Sequence, residues 1–378
     1  MQPRPIIIIG TGLAGYSLAR EFRKLDADTP ILMISRDDAH SYSKPMLSTG
    51  FTKNKTADEL SMGDPGKMAT QLNVSIRNYT EVTHINPATQ EIIIDQETIG
   101  YEKLVLATGA CVNKLKFPGS DHPNILSIND LMDYRAFRQK LEGKKNILIM
   151  GAGLIGCEYA NDLLHSDYRV TVVDPSKTAL NGLIPSFAGD AVVKGLERAG
   201  ITFKLNAFVS KVSEDLGKLN ATLNTGEILQ CDLIISAVGL KPDLTLASKA
   251  QLQCDRGIAT NKFLETSHPN IFAIGDCAQI EGQVRLFVLP LMASARALAK
   301  TLSGTPSEVS FGVMPIATKT PACSVIVCPP TSDEGEWTIE QNDINITATF
   351  HSPEQEVIGF VLTGDRVTEK QSLVKKMS

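Results

Sequence analysis

The chain has 378 residues, a length that predicts two or three domains. Its hydrophobic content of 43% and charged content of 21% are typical of a globular protein with full cores. The net charge of -5 favours neither nucleic acid nor an anionic membrane as a partner, and no apolar run is long enough to span a bilayer.

The N-terminus and the cysteines indicate the compartment. The first residues run directly into an apolar segment without a signal-peptide core, which predicts a cytoplasmic protein. The seven cysteines are odd in number, and no Cys-x-x-Cys spacing occurs among them. This pattern indicates reduced, structural thiols and predicts no metal site.

A glycine-rich turn opens the chain. The apolar run Ile6 to Ile9 predicts a strand buried on both faces, and Gly10-Thr11-Gly12-Leu13-Ala14-Gly15 follows it. In such a turn the first glycine permits a tight bend, the second admits a pyrophosphate, and the third lets a helix pack on the strand. We expect that helix from about Leu13 to Leu25, with its free N–H groups facing the phosphates.

The second strand, Ile31 to Ile34, lacks the acid that usually follows it to hold an adenosine ribose. Ser35 and Arg36 stand there instead, so we expect Ser35 or Asp37 to supply this contact. In the next loop, Lys44 lies where the chain returns toward the ligand, and Pro45 fixes the local backbone.

Shorter elements lead to the middle of the chain. The polar stretch 52–71 predicts a helix with a loop, and alternating segments at 74–76, 82–85 and 91–95 predict an antiparallel meander. A buried strand from residue 101 then ends in Ala107-Thr108-Gly109, small residues that let the chain pass close to a cofactor. A linker over 118–127 precedes an amphipathic helix over about 128–141.

A second glycine-rich turn, Gly151-Ala152-Gly153-Leu154-Ile155-Gly156, follows the apolar run 146–150 and starts a helix over about 154–165. Two such turns predict that two dinucleotides bind at once. The next strand ends in Asp174, about 18 residues after Gly156, where a carboxylate accepts both ribose hydroxyls. Because this carboxylate would repel a 2′-phosphate, the pattern favours NADH over NADPH. The alternative is that Asp174 binds no ribose and is only a solvated residue at the end of the strand.

The elements that follow the second glycine-rich turn repeat the order of those that follow the first. A helix over about 185–199 is followed by a predicted meander at 202–205, 207–212 and 221–225. The strand that ends in Ala237-Val238-Gly239 then repeats Ala107-Thr108-Gly109. This internal repeat predicts an α/β fold with two Rossmann-like dinucleotide-binding domains.

The last third completes the first domain and adds another. A strand closes on Gly275-Asp276, and Leu291 precedes an alanine-rich helix over about 292–302. Alternating segments at 344–350 and 357–362 and a final basic helix predict a small antiparallel sheet with a helix. We therefore expect one dinucleotide-binding domain from 1–113 and 242–316, another from 114–241, and a C-terminal α+β domain from 317–378.

The two glycine turns, the Ala-Thr-Gly strand and Gly275-Asp276 together resemble the pyridine-nucleotide, FAD-dependent oxidoreductases of the glutathione reductase structural class, over nearly the whole chain. The loop Tyr42-Ser43-Lys44-Pro45-Met46-Leu47-Ser48 has neither the cysteine pair of the disulfide reductases nor the single cysteine of the NADH peroxidases. This loop, the segment Gly153 to Glu158 and the short C-terminal domain are similar to the NADH–rubredoxin reductases of that class.

The resemblance implies FAD at the first turn, NADH at the second, and electrons that pass one at a time to rubredoxin, a small acidic iron carrier. It implies a Lys44–Glu158 ion pair beside the flavin N5 and a C-terminal interface domain. We expect a monomer or weak dimer that feeds an oxygenase such as alkane hydroxylase. The residues expected to bind the cofactors are Gly10, Gly12, Leu13, Ala14, Gly15, Ser35, Arg36, Lys44, Pro45, Val82, Ala107, Thr108, Gly109, Gly151, Gly153, Leu154, Ile155, Gly156, Glu158, Asp174, Val238, Gly239, Gly275, Asp276, Leu291 and Lys319.

The sequence leaves two alternatives open. The carrier could be a ferredoxin, a flavorubredoxin or a nitrite reductase module, which would change only the docking surface. The chain could instead be a flavin-bound oxidoreductase with slow turnover and a non-catalytic role. Lys44 stands where a thiol peroxidase has its active cysteine, which disfavours that class.

Overall fold

The computed structural model describes residues 3–377. Its α-helices are, in chain order, α1 Leu13–Arg23, α2 Ala57–Leu60, α3 Pro65–Leu72, α4 Leu131–Lys140, α5 Leu154–Leu163, α6 Ser186–Arg198, α7 Thr245–Lys249, α8 Val288–Leu302 and α9 Lys370–Lys376. Short 3-10 helices lie at Lys44–Thr49, Leu164–Ser166, Gly275–Cys277, Pro321–Cys323 and Gly364–Glu369.

The strands alternate with these helices along the chain. They are β1 Ile6–Ile9, β2 Ile31–Ile34, β3 Ser41–Tyr42, β4 Ser61–Gly63, β5 Ser75–Arg77, β6 Val82–Asn86, β7 Glu91–Ile94, β8 Glu97–Gly100, β9 Lys103–Leu106, β10 Ala110–Val112, β11 Ile125–Leu126, β12 Asn146–Met150, β13 Arg169–Asp174, β14 Thr202–Leu205, β15 Val209–Asp215, β16 Lys218–Leu223, β17 Ile228–Cys231, β18 Leu233–Ser236, β19 Leu240–Pro242, β20 Ile258–Thr260, β21 Ile271–Ala273, β22 Ala278–Ile280, β23 Gln283–Val284, β24 Ile316–Thr318, β25 Val325–Cys328, β26 Glu336–Asn342, β27 Asn345–His351 and β28 Val357–Thr363.

The first of two compact units contains the described residues up to Lys44, Asp58–Val112 and Leu240–Phe311. A parallel sheet runs through it in the order β21-β9-β1-β2-β5, with Ile8 of β1 between Met33 of β2 and Val105 of β9. Strands β1, β2 and β21 of this sheet are apolar and buried, as expected where helices cover both faces of a parallel sheet, whereas the edge strand β5 is partly exposed. Helices α1 and α8 pack against each other beside it.

The second unit contains Pro45–Ala57, Asn113–Gly239 and the described residues from Gly312 onward. Its parallel sheet has the order β11-β18-β12-β13-β14, which matches the plan of the first unit. An antiparallel sheet of β15, β16 and β17 follows. The C-terminal residues form an antiparallel sheet in the order β24-β25-β28-β27-β26, and α9 packs on β28. The predicted three-domain boundaries stay a prediction.

Two predicted strands are present, but their predicted pairing is wrong. Segments 74–76 and 202–205 were expected in meanders, but β5 pairs in parallel with β2, and β14 pairs in parallel with β13. Each strand therefore extends a central sheet at its edge. A strand of three or four partly exposed residues can pair in either direction, and its sequence does not specify the partner. The antiparallel meanders instead comprise β6–β8 and β15–β17.

Helix boundaries also differ from the expectation. Helix α8 begins at Val288, four residues earlier than expected, and contains Pro290 in its first turn. Proline is tolerated there because the first N–H groups of a helix have no partner within the helix. Helix α1 ends at Arg23 rather than Leu25. Within residues 3–377, no helix combines the length and the apolarity needed to cross a membrane.

Candidate cofactor-binding sites

In the first unit, the parallel strands bring predicted residues to one edge of the sheet. Strands β1, β2, β9 and β21 run in the same direction, so their carboxyl ends share that edge. Ligands of such folds bind outside the carboxyl ends of the strands. The segments that follow these ends are Gly10–Gly15, Ser35–Arg36, Ala107–Gly109 and Gly275–Asp276.

The first glycine turn is closely packed at two of its three glycines. A Cβ atom on Gly10 would lie 2.2 Å from the carbonyl oxygen of Ala107, and one on Gly15 would lie 2.0 Å from that of Gly10. A Cβ atom on Gly12 would meet nothing within 4 Å, and Gly12 caps α1 without a side-chain hydrogen bond. The open space and the free amides of the first turn, which holds Leu13 and Ala14, fit the pyrophosphate of FAD.

The strand end after β2 holds a small hydrogen-bonded turn. The buried Ser35 donates its hydroxyl to Oδ1 of Asp37 at 2.5 Å, and the same oxygen accepts the amide of Ala39 at 2.9 Å. Arg36 is mostly exposed and forms an ion pair at 3.5 Å with Asp243. Ser35 therefore orients the Asp37 carboxylate, which keeps both residues as candidates for the adenosine ribose of FAD.

Asp276, Gly275 and Leu291 lie close to the start of α1. A Cβ atom on Gly275, whose φ is +77°, would lie 2.7 Å from Cβ of Ala14 and 3.7 Å from Cδ1 of Leu291. Burial raises the pKa of the Asp276 carboxyl, and the positive charge of Lys44 opposes this increase. The first unit thus places Lys44 within electrostatic reach of Asp276.

Thr108, Gly109 and Val82 are the remaining predicted residues of the first unit. Thr108 donates its hydroxyl to the carbonyl oxygen of Asp243 at 3.2 Å, and Gly109 has a φ of +71° with no atom within 4 Å of a Cβ position. Val82 is buried in β6, in the separate antiparallel sheet. The role of Val82 as a cofactor contact stays a prediction.

The second unit repeats this construction. A Cβ atom on Gly151 would lie 2.5 Å from the carbonyl oxygen of Ala237, and one on Gly156 would lie 1.9 Å from that of Gly151. A Cβ atom on Gly153 would meet nothing within 4 Å, and Gly153 caps α5 without a side-chain hydrogen bond. The first turn of α5 contains Leu154 and the exposed Ile155, so this turn also fits a dinucleotide.

Asp174 lies at the end of β13, beside the second glycine turn. One carboxylate oxygen accepts the amide of Ala152 at 2.6 Å, and the other accepts the amide of Ser176 at 2.7 Å. These two amides hold the carboxylate against the turn while each oxygen keeps a further lone pair for a ribose hydroxyl. Val238 and Gly239 follow β18, which pairs in parallel with β12, so they belong to the same sheet edge as Asp174.

Glu158 is fully buried in α5 and receives three hydrogen bonds. Its Oε2 accepts the hydroxyl of Ser48 at 2.6 Å and the Nζ of Lys319, and its Oε1 accepts the Lys319 amide at 3.0 Å. A buried carboxylate is strongly unfavourable unless it is paired and hydrogen-bonded, and these contacts supply both. The ion pair that the second unit gives Glu158 is therefore with Lys319; the expected pair with Lys44 stays a prediction.

Sequence reasoning did not identify two further polar residues on α5. Asn161 accepts the amide of Ala322 at 3.1 Å, and Asp162 accepts hydrogen bonds from Phe51 and Thr52. Like Glu158, both are buried. The available signal was their spacing, since positions i, i+3 and i+4 share one helix face. We call Glu158, Asn161 and Asp162 the polar face of α5.

Comparisons with known proteins agree with this arrangement. The sequence profile of the pyridine nucleotide-disulphide oxidoreductase family matches residues 4–297, and that of a rubredoxin binding C-terminal domain matches residues 308–377. The chain is 47% identical to a rubredoxin-NAD(+) reductase of Alcanivorax borkumensis, with 99% of this chain and 98% of the relative covered. It is 36% identical to a nitric oxide reductase FlRd-NAD(+) reductase of Vibrio vulnificus, with 99% and 98% covered.

A solved structure confirms the fold class. A ferredoxin reductase from Rhodopseudomonas palustris superimposes with a TM-score of 0.89, at 24% sequence identity, over 99% of this chain and 95% of that chain. At that identity the likeness concerns the fold alone. The family profile covers most of the chain, and the relatives align with almost all of it. The chain therefore belongs to the pyridine nucleotide-disulphide oxidoreductase family.

Proposed function

We propose that the chain oxidises NADH and passes the electrons through bound FAD, one at a time, to rubredoxin. The observation that carries this function is the 47% identity to a rubredoxin-NAD(+) reductase over 99% of the chain, joined to the C-terminal match with a rubredoxin binding domain. The comparisons confirm the predicted oxidoreductase family and agree with the predicted cofactors and partner. The individual site residues remain proposals.

The two glycine turns supply the binding sites that this function needs. When FAD is bound, it supplies the chemistry that accepts the two electrons of a hydride and releases them one at a time. Gly12 and the amides at the start of α1 bind its pyrophosphate, and Gly153 with the start of α5 binds that of NADH. Asp174 accepts the ribose hydroxyls of NADH and disfavours the 2′-phosphate of NADPH through charge repulsion.

Each unit contains one lysine to which we assign the stabilisation of negative charge. Lys319 is held by Glu158, and Lys44 lies within electrostatic reach of Asp276. Each acid lowers the cost of keeping its lysine out of bulk water. A fixed cation stabilises negative charge that develops during a reaction because it needs no reorganisation at that moment. We therefore assign both lysines to charge stabilisation, and neither to proton transfer.

A spectroscopic titration of the purified protein tests the function. Visible flavin absorbance should bleach when NADH is added without oxygen, and it should return when oxidised rubredoxin is then added. Protein that binds no flavin, or flavin that NADH does not reduce, would contradict the proposal. Flavin that is reduced by NADH but is not reoxidised by rubredoxin would contradict the choice of partner.

The Vibrio vulnificus relative suggests a second candidate acceptor, because it is named as an FlRd-NAD(+) reductase. The donor and cofactor chemistry would be the same, and the docked carrier would differ. Parallel stopped-flow reduction of rubredoxin, flavorubredoxin and ferredoxin by the NADH-reduced protein separates these acceptors. Slow turnover with every carrier would instead support the non-catalytic alternative. The oxygenase fed by the carrier, the cytoplasmic location and the monomeric or weakly dimeric state remain parts of this proposal.

A further inference from the structure

Segment 45–57 is attached to the polar face of α5 at two successive helical turns. Ser48 donates to Glu158 at 2.6 Å, and the turn around Phe51 and Thr52 is bound by Asp162, four residues further along the helix. All of these residues belong to the second unit. The segment therefore lies along α5, the helix that begins at the second glycine turn.

Asp162 forms the stronger of these attachments. Its Oδ1 accepts the amide of Thr52 at 2.7 Å and the Thr52 hydroxyl at 2.6 Å, while its Oδ2 accepts the amide of Phe51 at 3.1 Å. The Asp162 side chain is almost completely buried, at 1% exposure. Hydrogen bonds to an ionised acceptor are roughly twice as strong as neutral ones, so three of them fix the turn firmly.

The ring of Phe51 provides an independent attachment of the same turn. It makes edge-to-face contacts with Phe137 and Tyr168, at centroid distances of 6.2 and 5.8 Å. The guanidinium of Arg138 lies 4.1 Å from the Phe51 centroid, and its NH1 donates to the carbonyl oxygen of Lys55 at 3.2 Å. Such contacts are directional, so they favour one position of the turn.

Ser48 precedes Phe51 by three residues, within one compact turn. Its hydroxyl reaches the same Glu158 oxygen, Oε2, that binds the Nζ of Lys319. We propose that Asp162 is a positioning residue, which fixes the turn at 51–52 so that Ser48 holds the Glu158 carboxylate in register with Lys319. This inference rests on the proposed function, because the Glu158–Lys319 pair matters there for charge stabilisation.

Thr52 offers a mild way to loosen the attachment. Its side chain is exposed apart from the bond to Asp162, so Thr52→Val removes one hydroxyl with almost no change in shape. Thr52→Ser keeps the hydroxyl and is the matched control. We expect Thr52→Val to slow flavin reduction at saturating NADH roughly 10-fold, because small misplacements of a charge-stabilising group are costly. FAD content and the Kd for NAD+ should stay unchanged.

The same holoenzyme variants should be examined by hydrogen exchange. Peptides that cover 45–57 should exchange faster in Thr52→Val than in the wild type, and Thr52→Ser should match the wild type in both exchange and rate. Ser48→Ala should slow reduction by itself. In the Ser48→Ala background, Thr52→Val should add little, because the two residues act through one carboxylate.

Three results would overturn the inference: an unchanged reduction rate in Thr52→Val, additive effects in the double variant, or a raised Kd for NAD+ with an unchanged rate at saturation. Faster exchange with a normal rate would show that Asp162 serves only stability. Failure of the proposed function would look different, because the wild type itself would then not be reduced by NADH.

Discussion

The substitution Gly153→Ala separates nucleotide binding from folding. A Cβ atom at this position would meet nothing within 4 Å, and the φ of -74° is ordinary for alanine. As a helix N-cap, alanine in place of glycine costs less than about 1 kcal/mol. If the NADH pyrophosphate lies over this residue, the methyl group displaces at least one of its charge-assisted hydrogen bonds. That loss is worth about 1.5–3 kcal/mol, which raises Kd about 10- to 150-fold.

Calorimetric titration of NAD+ into the oxidised protein measures this Kd, and visible absorbance measures FAD content in the same sample. Gly12→Ala is the matched variant of the first turn, since its Cβ atom would also meet nothing within 4 Å. We expect Gly153→Ala to keep FAD and lose NAD+ affinity, and Gly12→Ala to fold with depleted FAD. Gly156→Ala controls for packing, because its Cβ atom would lie 1.9 Å from the Gly151 oxygen and should disrupt the turn.

The assignment of the two turns would be refuted by one of two outcomes. Gly153→Ala could bind NAD+ with wild-type affinity, which would place the pyrophosphate elsewhere. The two variants could also exchange their defects, with Gly153→Ala depleted of FAD and Gly12→Ala weakened toward NAD+. Thermal unfolding of both apoproteins checks that neither result comes from a damaged fold.

Three further predictions concern single charges. Asp174→Arg should raise KM for NADH at least about 10-fold and lower KM for NADPH; unchanged steady-state preference would remove Asp174 as the ribose ligand. Lys44→Met should slow flavin reduction in stopped flow with FAD still bound, and normal kinetics would exclude Lys44 from the reaction. Burial alone would raise the pKa of Asp232, but Lys218 and the amides of Asn146 and Lys145 lower it to about 2. Its stabilisation is therefore complete above the usual value of 3.8 and disappears as the pH falls through about 2. Asp232→Asn should lose about 2 kcal/mol at neutral pH in urea unfolding and almost nothing at pH 2; an equal loss at both pH values would contradict this.

The glycine turns could be predicted from the sequence because each is a local structure. The tight approaches of Gly15 to Gly10 and of Gly156 to Gly151 lie within one turn, so the spacing of the glycines shows them in the sequence. The approaches of Gly10 to Ala107 and of Gly151 to Ala237 are long-range, and only the glycine at each position indicates them. The pairing of β5 and β14 could not be predicted in the same way. Their partners, β2 and β13, lie across intervening helices, and a strand of three or four residues shows no periodicity that distinguishes parallel from antiparallel neighbours.

The partners of Glu158 illustrate the same limit within the site. The resemblance to the family implied a role for Glu158 beside the flavin, with Lys44 as its partner. The hydrogen bonds of Glu158 come from Ser48, 110 positions away, and Lys319, 161 positions away. Nothing in the local pattern specifies contacts at such separations. The helical spacing of Glu158, Asn161 and Asp162 could have indicated a polar face, but not which segments cover it.

The two lysines assigned to charge stabilisation are each balanced by an acid of their own unit. Lys44 acts on the pKa of Asp276 in the first unit, while Lys319 and Glu158 form an ion pair in the second. In the second unit the neutral Ser48 hydroxyl adds no charge, but its hydrogen bond fixes the Glu158 oxygen that also binds Lys319. Asp162 thus contributes to the charge stabilisation only within the second unit, through the position of Ser48.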